Sequence, residues 1–156
     1  MTEKGHVEFD SSVPLHSFTG ESDHLVGKIT FSDSIVDFYV DVNTLKTGIN
    51  KRDNDMLRTL EAEKHPFAEF YGKINSEIDL ENTDPQDVTV EGEFTVHGVS
   101  NKTSITGTLK KTPNGLKINA SWTLNMEDYN IEPPGILFYR VSEMIDVSIS
   151  ATLTPV

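Results

Sequence analysis

The chain has 156 residues and a formal net charge of −12, from 13 Lys+Arg against 25 Asp+Glu. That is the length of one domain, here residues 1–156, and a charge of the wrong sign for holding a phosphate backbone or an anionic membrane surface. With hydrophobic residues at 36%, slightly thin, a core has to come from well-patterned segments, and the absence of cysteine removes disulfides, thiolate metal sites and a thiol nucleophile.

The N-terminal stretch Met1-Thr2-Glu3-Lys4-Gly5-His6 carries no hydrophobic signal region. It fits either a cytosolic protein or a mature chain whose leader was trimmed. No apolar run approaches the ~20 residues of a membrane-crossing helix. Two weak strands come first, around Val7–Phe9 and Leu25–Phe31. From Val36 the period becomes two: Val36, Phe38, Val40 and Val42 alternate with Asp37, Tyr39, Asp41 and Asn43. The order DNDMLRTLEAEK from Asp53 to Lys64 departs from it, with Met56, Leu57 and Leu60 at helical spacing. Asp53 or Asn54 suits the N-cap and Pro66 the stop, which predicts a helix over Asn54–Lys64.

Alternation then resumes. Ala68, Phe70, Gly72, Ile74, Ile78 and Leu80 share one parity, and Val88, Val90, Gly92, Phe94 and Val96 another. Ile105, Gly107 and Leu109 follow, then Leu116, Ile118, Ala120, Trp122 and Leu124, and finally Ile145, Val147, Ile149, Ala151 and Leu153. Turn signals separate the runs at Asn82-Thr83-Asp84-Pro85, His97-Gly98 and Pro113-Asn114-Gly115, with Asn114-Gly115 suited to the tight hairpin. The segment Glu132–Tyr139 holds two prolines that oppose regular pairing, yet four large apolar or aromatic residues; it reads as a covering loop. Each run has one dry and one wet face, as in antiparallel sheet. About eight such strands predict an all-β, up-and-down barrel, which also removes exposed edges.

Parity directs Phe38, Val40, Phe70, Phe94, Val96, Ile118, Trp122 and Val147 inward. Gly72, Gly92, Gly107 and Ala120 share the dry faces, and two readings stay open. Small residues let strands coil tightly around large neighbours, or they leave room for an elongated apolar ligand. No phosphate-cradling loop, G-x-S-x-G elbow, HExxH or EF-hand loop is present. The histidines are scattered, so neither a metal nor a nucleotide cofactor is expected; His16 and His24 beside Asp23 match no metal spacing and read as surface residues. His97, at a strand end before Gly98, reads as a hydrogen bond across a turn rather than a pocket-rim group. Asp53, Asp55, Glu61 and Glu63 read as a solvated helix face rather than a general acid–base pair.

Several ordered landmarks resemble the YceI-like, lipocalin-like bacterial proteins associated with polyisoprenoid binding. They are Asp37-Phe38-Tyr39-Val40-Asp41-Val42 leading to Leu45-Lys46-Thr47-Gly48, Arg52-Asp53-Asn54-Asp55-Met56, His65-Pro66-Phe67-Ala68-Glu69-Phe70, Gly92–Ser100, and Asp128-Tyr129-Asn130-Ile131. The resemblance implies an eight-stranded antiparallel lipocalin-like barrel with one short helix. It implies a long isoprenoid or other lipid inside, polyprenyl or quinone-like, and no shared catalytic set. Many such proteins are exported to the periplasm, so a periplasmic chain without its signal peptide is expected, or a cytoplasmic one if Met1 is the native start. A homodimer is compatible with all of this. A barrel enzyme acting on such a lipid, with His97 or an inward carboxylate as its acid–base group, and a filled barrel with an interaction or stress role are the alternatives. The pocket is expected between the eight inward residues above, with its entrance near the helix and the Pro133–Tyr139 loop, where Met56, Leu60, Ile136 and Phe138 stand.

Overall fold

Every run of period two contributes a strand, and eight strands close into a barrel. The computed structural model describes residues 1–11, 18–131, 135–136, 139–140 and 144–155. Its strands are β1 (Thr2–Ser11), β2 (Phe18–Thr30), β3 (Ile35–Asp41), β4 (Phe67–Ile74), β5 (Gln86–Val96), β6 (Val99–Thr112), β7 (Gly115–Asn125), β8 (Gly135–Ile136), β9 (Tyr139–Arg140) and β10 (Met144–Leu153), with one α-helix, α1 (Asn50–Thr59), between β3 and β4. Around the barrel the order is β1-β10-β7-β6-β5-β4-β3-β2, with every pairing antiparallel. The expected eight-stranded barrel is therefore present. The small β8–β9 pair lies outside it, so Glu132–Tyr139 does contain a short pairing after its prolines; Phe138 lies outside the described residues.

The register puts like with like. Phe38 pairs with Phe70 and Phe70 with Phe94, an aromatic band across β3, β4 and β5. Across the closure, Phe9 pairs with Val147 and Val147 with Trp122. Phe38, Val40, Phe70, Phe94, Val96 and Val147 are buried, while the inward Ile118 and Trp122 are half-buried. Gly72 faces Gly92, and a Cβ on Gly92 would come within 2.2 Å of the Tyr71 carbonyl oxygen. These two glycines therefore serve tight coiling of β4 against β5.

The structure corrects several boundaries. Residues 75–80 leave the sheet after Ile74, and Leu80 is exposed, so the alternation there has no partner strand behind it. Val42 belongs to a 3-10 turn, Val42–Thr44, although it stays buried. The β6–β7 turn is made by Pro113 and Asn114, with Thr112 pairing Gly115, rather than by Asn114-Gly115; proline's fixed φ suits the first turn position. His97 and Gly98 alone link β5 to β6, at φ 57° and 71°, the two positive φ angles that a type I′ hairpin demands.

Helix α1 begins four residues before the expected Asn54, with Ile49 as its uncapped N-terminal flank. Asp53 is not the cap. Its buried carboxylate accepts from the Thr47 backbone N–H at 2.8 Å and the Thr47 hydroxyl at 2.6 Å, tying the helix to the segment that precedes it. The helix ends at Thr59, well before Lys64, and Glu61 at φ 50° turns the chain back.

Candidate functional site

The barrel is hollow. A cavity of about 790 Å³ runs through it, within the usual size of small-molecule sites. Of the residues expected at a pocket, Phe38, Val40, Phe70, Phe94, Val96, Ile118, Trp122 and Val147 line its wall, and Met56 and Leu60 line it from the helix. Phe138 lies outside the described residues, so its place is not described. Gly107 and Ala120 also line the cavity, whereas Gly72 and Gly92 do not, so the small inward residues divide between the two roles the pattern left open.

The polar groups of the lining are not spread evenly. Lys51, Arg52, Asp55 and Thr59 all come from α1; Thr108 lies on β6. The rest of the wall is apolar apart from the Trp122 indole N–H, which is buried without a hydrogen-bond partner, so polarity concentrates where the helix crosses the barrel end reached by Asp41 and Phe67. Arg52 is held there by donating to the Thr47 carbonyl at 2.6 Å, and its guanidinium carbon stands 4.7 Å from the Phe18 ring centre. Phe18 in turn meets Phe9 edge-on at 6.0 Å. Neither phenylalanine, nor Arg52, was expected at a pocket. The signal for Phe9 was its shared parity with Val7; the first two strands alternate too weakly to assign more.

Residues that could have carried chemistry are engaged elsewhere. His97 Nδ1 lies 3.0 Å from the Tyr129 carbonyl oxygen and Nε2 lies 2.6 Å from Glu61 Oε2, and both partners are acceptors. The His97 hydrogen bond holds the Glu61 carboxyl below its ordinary range, with Lys64 adding to it. His97 is structural, as expected, but its ring bonds reach residues 32 and 36 positions away rather than across the β5–β6 turn. The four helix-region acids do not form one solvated face or a shared site: Asp53 is buried against Thr47, Asp55 lines the cavity and stands 3.9 Å from Arg58, Glu61 bonds His97, and Glu63 is exposed.

Comparison with known proteins draws these features together. The family model of the YceI-like domain matches residues 2–153. This chain belongs to the YceI-like family. BcnA of Burkholderia cenocepacia superposes with a TM-score of 0.79 at 13% identity, over 97% of each chain. A polyisoprenoid binding domain from Saccharophagus degradans gives 0.79 at 19% identity, over 95% of this chain and 92% of that one. The YCEI protein of Campylobacter jejuni gives 0.65 at 15%, over 92% and 90%. These structures share the fold. A comparison with curated proteins gave no match.

The YceI-like landmarks turn out to be joinery around one end of the barrel. Gly92–Ser100 spans the β5–β6 turn, and Asp128–Ile131 completes a 3-10 turn (Met126–Tyr129) whose following Asn130 sits at φ 55°. Asn101 donates to the Asp128 carbonyl at 2.6 Å, and the Tyr129 ring meets Phe94 edge-on at 5.8 Å. Arg52-Asp53 anchors α1 through Thr47.

Proposed function

We propose that this YceI-like protein binds or carries, without chemical turnover, a long-chain amphiphile of isoprenoid type. The single observation that carries the reading is the cavity of about 790 Å³ walled almost entirely by apolar side chains, with the four polar side chains that α1 contributes gathered at one end. An apolar guest gains about 0.8 kcal/mol for each methylene it removes from water, so a tail needs few specific contacts. Water is a poor occupant, since it needs two to four polar partners and most of the wall supplies none. A guest lying lengthwise would keep its polar head beside Lys51, Arg52 and Asp55, where the end of the barrel is wet. The polyisoprenoid binding domain of Saccharophagus degradans shares this fold and supports an isoprenoid tail. The engagement of His97 at a hairpin turn supports binding over catalysis.

Mass spectrometry of an organic extract of the purified protein tests the proposal. One long-chain lipid near equimolar amount is expected. Ile118→Phe, which adds bulk to a half-buried wall position, should leave the barrel folded and lower the extracted lipid several-fold. An extract without lipid, together with no uptake of polyprenol or quinone from detergent, would sink the reading.

A further inference from the structure

We propose that the outer face of β1 and β2 holds a divalent transition-metal site, with His6, Glu8 and Glu21 as its ligands and Asp23 as the positioning residue. Val7 and Phe9 face the cavity, so His6 and Glu8, of opposite parity, stand outside. Glu8 is paired directly with Glu21 across the two strands. Like charges in that relation are destabilising, and in a chain of net charge −12 they call for a cation.

The backbone supplies the third ligand by an irregularity. Val7 pairs with Ser22 and Gly5 with Leu25, so His6 alone stands opposite two residues, Asp23 and His24. Such a bulge re-aims side chains. Here His6 Nε2 comes within 2.8 Å of Glu8 Oε1 and 3.8 Å of Glu21 Oε2. One ligand atom from each of the three residues lies within 4.8 Å of the others. The other ring nitrogen, Nδ1, is 2.6 Å from Asp23 Oδ1. A carboxylate on Nδ1–H is the usual outer support of a metal-bound imidazole, because it fixes the tautomer that leaves the Nε2 lone pair for the metal. On binding, the metal takes that lone pair, and the proton otherwise shared between Nε2 and Glu8 passes to solvent.

One imidazole with two carboxylates suits zinc and its first-row neighbours, with a fourth position for water. Magnesium prefers an all-oxygen shell and fits less well. The sequence placed Asp23 with His16 and His24; the fold gives it to His6.

Titration of the whole protein with zinc chloride, followed by calorimetry and thermal unfolding, decides the matter. One zinc per chain is expected, with a rise in melting temperature, and a much weaker response to magnesium chloride. His6→Gln should weaken zinc binding at least tenfold and cancel the rise, and Asp23→Asn should weaken it by about 10–100-fold at unchanged stoichiometry. Circular dichroism checks that both variants, altered on the outer face, keep the barrel. His65→Gln, whose ring in the parent meets the His97 ring edge-on at 5.9 Å, should bind zinc as the parent does. No zinc binding by the parent, equal affinity in His6→Gln, or loss only in His65→Gln would overturn the proposal.

Discussion

His97 and Glu61 meet at 2.6 Å, although 36 residues separate them in the chain. The contact fastens the β5–β6 turn to the segment that follows α1, and Nδ1 of the same ring reaches the Tyr129 carbonyl. One imidazole thereby links a hairpin, the helix exit and the 3-10 turn that follows β7.

His97→Asn separates that linkage from the turn itself. Asparagine tolerates the positive φ at this position, so the hairpin should form, while both long-range hydrogen bonds are lost. The melting temperature should fall by a few degrees, and amide exchange should rise selectively around Glu61 and Tyr129. Uniform loss of protection across the barrel would show that the contact matters to the whole fold rather than to this end.

Asp53 gives a pH-dependent counterpart. The Thr47 hydroxyl and N–H hold its carboxyl below the ordinary range, although burial pushes the other way. A carboxyl lowered in the folded state stabilises most at pH values above its unfolded pKa, and that contribution disappears as pH falls through the lowered one. Asp53→Ala should cost roughly 1–3 kcal/mol at pH 7, because it strands the buried Thr47 donors. The deficit relative to the parent, measured by urea unfolding, should shrink below about pH 4.

Glu69 has the opposite sign. It is pushed up to about 7, first by hydrogen bonding with Asp37, then by burial and repulsion between the two carboxylates. Asp37 Oδ1 is buried without a hydrogen-bond partner, and a proton on Glu69 would give the Asp37 carboxylate a donor. An acid raised in the folded state binds its proton more tightly there, so stability is full below the unfolded value near 4.5 and falls as pH climbs to about 7. Glu69→Gln offers Asp37 a permanent donor. Its melting temperature should match the parent's near pH 4 and exceed it at pH 8; equal curves at both would remove the shared proton from the account.

Much of this architecture is legible residue by residue. Period two places Phe38, Phe70 and Phe94 on inner faces without any knowledge of pairing. What parity cannot reveal is who stands opposite. Gly72 and Gly92 look like pocket space until the register puts them face to face, where neither has room for a Cβ. Asp53 has the chemistry of a cap and is used instead to bind Thr47, because α1 starts one turn earlier. The meeting of His6 with Asp23 depends on a bulge that no local pattern announces. The cavity itself is a property of closure: hollow and filled barrels write the same alternation.

The entrance can be tested at Leu60. This residue follows the last turn of α1, is half-buried, and lines the cavity beside Met56, where the helix also presents Lys51, Arg52 and Asp55. A glutamate there can turn its carboxylate towards water, so Leu60→Glu should cost less than about 2 kcal/mol. The same charge at Val42, 1% exposed, has no such escape and should prevent folding. If lipid passes at the helix, Leu60→Glu should reduce the lipid carried by the purified protein several-fold while barely moving the melting temperature. The chain's single tryptophan, Trp122, lies on the cavity wall and reports occupancy independently. Its fluorescence should respond to added polyprenol in the parent, and more weakly or slowly in Leu60→Glu. A variant that unfolds readily, or one that retains lipid and the parent's tryptophan response, would make Leu60 part of a plug and put the entrance elsewhere on the barrel.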